Sequence, residues 1–290
     1  MKYIKLSTPV NIPPLQKTFE YDSIITGIGS CFAQYSMEHL KELGLDTTYN
    51  PNGIVYNAVS IAKFLDHILN NKKYDDSNFI KHNNLWHSWE HHGSFSDPDL
   101  KTLKKKISES NSIFKNKLAN SDLFILTPSS SVVYRLKSTD TIVANCHKYP
   151  EKYFNKEVIS IVTNLTTLNH CMNIINKINP NCQTIITLSP VRHYPGDLIL
   201  NGKSKANLLS AIHECIGNFD NIEYFPAYEI LIDELRDYRF FNEDMLHPSE
   251  LARKIILQKF IETYFTTNAQ ERIAQKEKHL KHELHNPNYG

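Results

Sequence analysis

The chain has 290 residues, 41% of them hydrophobic and 22% charged, the profile of a globular protein long enough to bury a core without disulfides or metals. Its 32 Lys and Arg offset 31 Asp and Glu, so a formal charge of +1 leaves no electrostatic footprint for nucleic acid or an anionic membrane surface. Five cysteines, an odd number with no CxxC pair, read as free thiols of a reducing compartment; with no apolar leader and no membrane-spanning apolar stretch, they point to the cytoplasm.

Pro9, Pro13 and Pro14 hold residues 1–22 extended. Residues 23–28 form a short apolar run ending at Gly29, a buried strand. Helical spacing follows over 32–43 and stops at Gly44, a glycine of the C′ type. Residues 45–49 read as a second strand and 57–69 as a helix. Residues 79–92 read as a hairpin turning at Asn83 and Asn84, and 101–118 as a Lys-rich surface helix. Another strand is expected at 122–127, and a second hairpin over 131–145 that breaks at Ser138-Thr139-Asp140. Residues 156–178 read as mostly helical, 183–188 as a strand, 204–216 as a helix stopped by Gly217, and 222–225 as a last short strand. A helix over 249–264 opens on Ser249 as N-cap. Residues 268–283 read as a charged, solvated helical tail, and 286–290 as a frayed end.

Short apolar strands alternating with amphipathic helices predict a parallel sheet covered on both faces, with the hairpins as insertions. Two places on that frame carry chemistry. Ser30 follows the first strand and opens the first helix, where free backbone N–H groups favour a developing oxyanion. Ser is also a common N-cap. Asp244 and His247 are three residues apart, so one turn can join a carboxylate to the imidazole that would deprotonate a serine. A surface turn is the other reading of that pair. Ser first and Asp…His last is the chain order of SGNH hydrolases.

The run Gly29–Ala33 reads GSCFA, and the chain resembles the GSCFA family, itself similar to the SGNH hydrolase superfamily. The resemblance extends through Asn50-Pro51-Asn52-Gly53-Ile54-Val55-Tyr56-Asn57, Asn145-Cys146-His147-Lys148, Ser189-Pro190-Val191-Arg192-His193, Phe225-Pro226-Ala227-Tyr228-Glu229, and Asp244 with His247-Pro248. It implies a three-layer, flavodoxin-like α/β fold with about five parallel strands and hairpin insertions. The domain would span residues 1–266, with 267–290 as the charged tail. It also implies Ser30 as nucleophile, with its own N–H as one oxyanion donor, and Asp244 with His247 as the acid–base pair. Where the family has a glycine, this chain reads Thr127-Pro128-Ser129-Ser130-Ser131, so Ser129 or the Ser130 hydroxyl is left as second donor. Asn145 is the candidate Asn donor. His147 reads as a substrate contact or second base, and Arg192 with His193 as holders of an anionic or sugar substituent. His91 and His92, after Trp86 and Trp89, read as a wall of the cleft.

Cys31 is a rival nucleophile, because a thiol at a helix N-terminus has a lowered pKa. Cys146-His147 offers a second thiol beside an imidazole. No His or Cys spacing reads as a zinc site, and no cofactor is expected. The expected activity is acyl transfer through a Ser30 acyl-enzyme, to water on an O-acetylated carbohydrate or similar small ester. Transfer from an acyl-CoA to a sugar hydroxyl would use the same residues, with Lys148, Arg192 and Lys203 as donor contacts. A binding module that kept the fold and lost full catalysis is the non-enzymatic alternative.

Overall fold

The computed structural model describes residues 7–15, 17–193 and 197–285, so the expectations for residues 1–6 and 286–290 fall outside it. β1 (Ile24–Gly29) runs into α1 (Cys31–Glu42), β2 (Asp46–Tyr49) and α2 (Ala58–Asn70). A hairpin of β3 (Phe79–His82) and β4 (Leu85–Ser88) leads to α3 (Leu100–Ala119) and β5 (Leu123–Thr127). A small antiparallel sheet of β6 (Val132–Leu136), β7 (Thr141–Val143) and β8 (Phe154–Val158) precedes α4 (Ile161–Ile178) and β9 (Gln183–Ile186). Then come α5 (Leu198–Ile216), β10 (Ile222–Tyr224), the single turn α6 (Ala227–Glu229), α7 (Glu250–Tyr264) and α8 (Thr267–His285).

The main sheet is parallel throughout, in the order β10-β9-β5-β1-β2. Counting only its own strands, that is 2-1-3-4-5, the doubly wound flavodoxin-like order. Successive strand residues alternate between two cores. Ile25, Leu123, Ile125 and Ile185 face Met37, Leu40 and Phe260 of α1 and α7. Ile28, Phe124, Leu126 and Ile186 face Leu65, Ile175 and Leu208 of α2, α4 and α5. Burial on both faces explains why these strands read as unbroken apolar runs. The expected three-layer α/β fold is the one observed.

The β3–β4 hairpin turns where expected, with Asn83 and Asn84 both at positive φ (48° and 62°), as a two-residue primed turn requires. The structure departs from the sequence reading in three places. Residues 154–158 are a strand rather than the start of a helix, pairing with β6 from Val132↔Val158 to Leu136↔Phe154. Their exposed Asn155 and Lys156 and half-buried Glu157 hide the alternation, and the helix starts after Ser160, whose hydroxyl accepts the Thr163 N–H (3.0 Å). α5 begins at Leu198, not at 204, because the Asp197 carboxylate caps the Leu200 N–H (2.8 Å). α8 is docked rather than solvated: Ala269 and Ile273, one helical turn apart, are buried in the same core as Phe19 and Tyr264. Among the described residues no helix is long and apolar enough to cross a membrane, and no cluster of His, Cys, Asp or Glu is placed to hold a metal ion.

Candidate active site

β1 and β5 flank the point where the strand order reverses, and the turns at their carboxyl ends lie side by side. Gly29 sits opposite Thr127 at a φ of +155°, and a Cβ there would stand 2.3 Å from the Thr127 carbonyl oxygen, so only glycine fits. Ser30 follows with extended backbone and occupies the N-cap position of α1 without capping it. The Ser30 N–H donates to the Thr127 carbonyl (3.1 Å), so the donor expected to meet an oxyanion is engaged in the sheet. The hydroxyl is buried and has no hydrogen-bond partner.

The 50–57 segment wraps this turn. Asn50 Oδ1 accepts the Gly29 N–H (2.8 Å), the Asn50 N–H donates to Gly27 (2.9 Å), and the Val55 N–H donates to Gly29 (2.9 Å). Asn50 Nδ2 is left buried and unpartnered. One residue after Val55, the Tyr56 carbonyl accepts the N–H groups of both Ser129 (2.8 Å) and Ser130 (3.0 Å). Neither of those amides is therefore free as the second oxyanion donor. The Ser130 hydroxyl is also engaged, lying 3.1 Å from Ser204 Oγ and accepting the Val132 N–H (2.9 Å).

Asp244 and His247 close one turn. Met245 adopts a positive φ of 56°, which curls the chain. Asp244 Oδ1 accepts the N–H groups of Leu246 (2.9 Å) and His247 (3.0 Å), and Oδ2 stands 2.7 Å from His247 Nδ1. The His247 backbone N–H, then its imidazole and the Leu246 N–H, pull the Asp244 carboxyl down to about 2. In the tautomer that places Nδ1–H on the carboxylate, Nε2 is the nitrogen left to accept a proton. The Arg192 N–H donates to the Leu246 carbonyl (3.0 Å) and fixes the turn to the segment after β9. The Arg192 guanidinium lies 4.3 Å over the Phe241 ring.

A third cluster was not foreseen. The Ser129 hydroxyl bonds His193 Nε2, and the ring edge of His193 meets Tyr56 at 4.8 Å. Lys205, read from sequence only as part of a helix, is fully buried here. Its ammonium donates to the carbonyls of Ser129 (2.7 Å) and Ser189 (2.6 Å), tying together the turns after β5 and β9. Burial brings Lys205 down to about 7. Burial, helped by the charges of Lys205 and His247, lowers His193 to about 3 and keeps it neutral. A lone lysine in an amphipathic helix carries no sequence signal of such a role, whereas Asn50 and Tyr56 lie in a block that the family resemblance had marked without a function.

The sheet rim and the β6–β7–β8 sheet enclose a cavity of about 790 Å³, lined by Tyr56, Ser130, Asn145, Arg192, His193 and His247 among others. The structure thus gathers Ser130, Asn145, Cys146, Lys148, Arg192, His193 and His247, all read from sequence, around one space. Ser30 is not among the lining residues, and its hydroxyl is not bonded to His247. Lys148 lines the cavity, while Lys203 is on the exposed side of α5 and does not. Asn145 Oδ1 accepts the His147 N–H (2.8 Å). His147 itself turns away from the cleft: its Nε2 lies 2.7 Å from the Ser88 carbonyl, and burial holds it down to about 4. The expected cleft wall is likewise elsewhere, because Trp89 packs on Leu136, Val143 and Phe154, and His91 is wholly buried. Burial raises the Cys31 thiol above its ordinary value, outweighing the N–H groups at the helix start, and raises Cys146 to about 11. Neither cysteine has the lowered pKa that a thiolate nucleophile needs.

These features define a class: a doubly wound α/β protein with a cavity at the switch point of the sheet, beside an Asp-x-x-His turn. The chain belongs to the GSCFA family, which it matches over residues 24–260. No curated protein matches it. Among solved structures it is similar to a protein from Streptococcus pneumonia, at 12% identity over 84% of each chain, with a TM-score of 0.45. It is also similar to a carbohydrate esterase family 3 protein from Talaromyces cellulolyticus, at 9% identity over 88% of this chain and 97% of the other, TM-score 0.39. A third is an acetyl xylan esterase from Butyrivibrio proteoclasticus, at 10% identity over 87% of this chain and 64% of the other, TM-score 0.41.

Proposed function

We propose that this protein is a serine-dependent acyl-ester hydrolase acting on an O-acetylated carbohydrate or similar small ester. The observation that carries the reading is the Asp244–His247 pair, 2.7 Å apart, whose histidine lines a cavity on the same sheet rim as the unpartnered Ser30 hydroxyl. Ser30 Oγ attacks the acyl carbon and its proton passes to His247 Nε2, while Asp244 stabilises the imidazolium. The alcohol leaves with that proton. Water then attacks the acyl-serine, losing a proton to His247, and the acid departs as Ser30 recovers its hydrogen. With the backbone donors of Ser30, Ser129 and Ser130 engaged, Asn50 Nδ2 is the buried group left to meet the oxyanion. Catalysis requires the buried Ser30 hydroxyl to be uncovered as substrate binds, a change from apo geometry that catalytic hydrogen bonds commonly show.

A fluorophosphonate probe tests this. Wild type and Cys31→Ala should label, and Ser30→Ala should not. Asp244→Asn should lower ester turnover by about 10²–10⁴ with the protein still folded. Labelling that survives in Ser30→Ala ends the assignment.

Two other readings each have an observation behind them. Lys148 and Arg192 on the cavity wall favour an acyl-CoA donor, with a sugar hydroxyl taking the place of water; acetyl-CoA consumption dependent on added sugar would identify it. The three engaged amides favour a carbohydrate-binding module, identified by sugar binding with neither labelling nor turnover.

A further inference from the structure

A second cavity, of about 680 Å³, opens between the C-terminal turn of α2, the 71–74 loop, β3 and α3. It shares no lining residue with the cleft. Lys72, Lys73, Lys104 and Lys115 line it, and no acidic side chain does. Beside them Tyr74 stacks on His67, their ring centroids 4.1 Å apart and their planes 10° from parallel.

The lysines exceed what the fold itself requires. The C-terminus of α2 carries about half a negative charge. Lys115 alone answers it, donating to the Leu69 carbonyl (3.3 Å) and to Asn71 Oδ1 (2.8 Å). Lys104 pairs with the exposed Asp76 (2.7 Å). Lys72 and Lys73 are exposed, and among the described residues their ammonium groups have no ion pair or hydrogen bond. The wall also holds two buried polar atoms left without partners, His67 Nδ1 and Asn111 Oδ1, while the Tyr74 hydroxyl is buried beside the Asn111 side chain. Behind Tyr74, at 5.1 Å, the fully buried His91 ring has an unpartnered Nε2. Leaving a buried polar atom unpaired is unfavourable, so two on one wall, with His91 Nε2 behind it, mark a place where the fold alone does not satisfy its polar groups.

We propose that this cavity binds a phosphate-bearing small molecule, its phosphate oxygens held by Lys72, Lys73 and Lys115 and its organic part laid against Tyr74 and Phe79. Lys72, Lys73 and Lys115, with no acidic partner among the described residues, suit phosphate, for which lysine serves as a point charge. The same wall repels metal cations and basic ligands.

Isothermal titration of the full chain with pyrophosphate and with ADP, at low ionic strength, tests the proposal. One site for either probe is expected, weakened at least tenfold in the Lys72→Gln/Lys73→Gln double variant and unchanged in Arg192→Gln. Circular dichroism and the urea midpoint verify that the double variant is folded. The proposal is overturned if neither probe binds at millimolar concentration, or if the folded double variant binds as well as wild type. Binding lost in Arg192→Gln instead would place the anion in the cleft and also overturn it.

Discussion

Lys205 gives a test of the site's electrostatics that needs no substrate. Its ammonium is fully buried, bonded to two strand-end carbonyls, and brought down from 10.5 to about 7 by burial. Between pH 7 and 10.5 the unfolded chain therefore binds a proton that the folded chain has released, so stability rises with pH across that window. Integrating from pH 7.0 to 8.5 gives a gain of roughly 1.6 kcal/mol from this one group. The cysteines, whose folded pKa values lie above their unfolded ones, act in the opposite direction as the pH approaches 9. The contributions of Cys171, Cys182 and Cys215 are common to wild type and to Lys205→Met, and Cys31, which the Lys205 charge lowers, is removed from the comparison by making both proteins in a Cys31→Ala background. Urea unfolding at pH 7.0, 7.75 and 8.5 should show the wild-type free energy rising by about 1.6 kcal/mol more than that of Lys205→Met. Equal slopes would refute the reasoning, since they would mean that the buried ammonium keeps its proton throughout on the carbonyls of Ser129 and Ser189.

The other predictions concern the turn at Ser30 and the acid side of the stability curve. Gly29→Ala should cost about 3 kcal/mol or more, because its Cβ would stand 2.3 Å from a backbone oxygen at an unfavourable φ; a loss under about 1 kcal/mol by urea titration would show that the turn can relax. His91, His193 and His147 are lowered by burial to about 3, 3 and 4, so below pH 6.5 the unfolded chain binds protons that the folded chain refuses and stability falls. Unfolding free energy should drop by several kcal/mol between pH 6.5 and 5, and a flat curve over that range would contradict the burial of these rings.

Those strands that bury both faces could be read directly, since runs such as residues 122–127 have no other soluble use. The Asn83-Asn84 turn was equally legible, because two adjacent positive φ angles select that residue type. β8 was not, because only Phe154 at one end of it is buried and the polar middle carries no period. α8 showed a charged surface in its composition, while the stripe of Ala269 and Ile273 acquires meaning only from the core it meets. In the candidate site, residue types could be read but bonding states could not. Ser30, Ser129 and Ser130 all have the donors an oxyanion needs, yet their amides point to Thr127 and Tyr56, acceptors supplied by tertiary packing. Asp244 and His247 differ because one turn holds both, so their pairing is local enough to be encoded in spacing.

The docking of α8 also bears on how the chain acquires its shape. Phe19 hydrogen-bonds across to Tyr264 and Thr266, and Arg272 meets Asp22, 250 residues earlier in sequence. One half of the interior is thus assembled from both ends of the described polypeptide. Closing a loop of that length is slow relative to local helix formation. During synthesis this half must wait, its apolar side uncovered, until α7 and α8 have been made, while the layer built on α2, α4 and α5 has all its segments sooner.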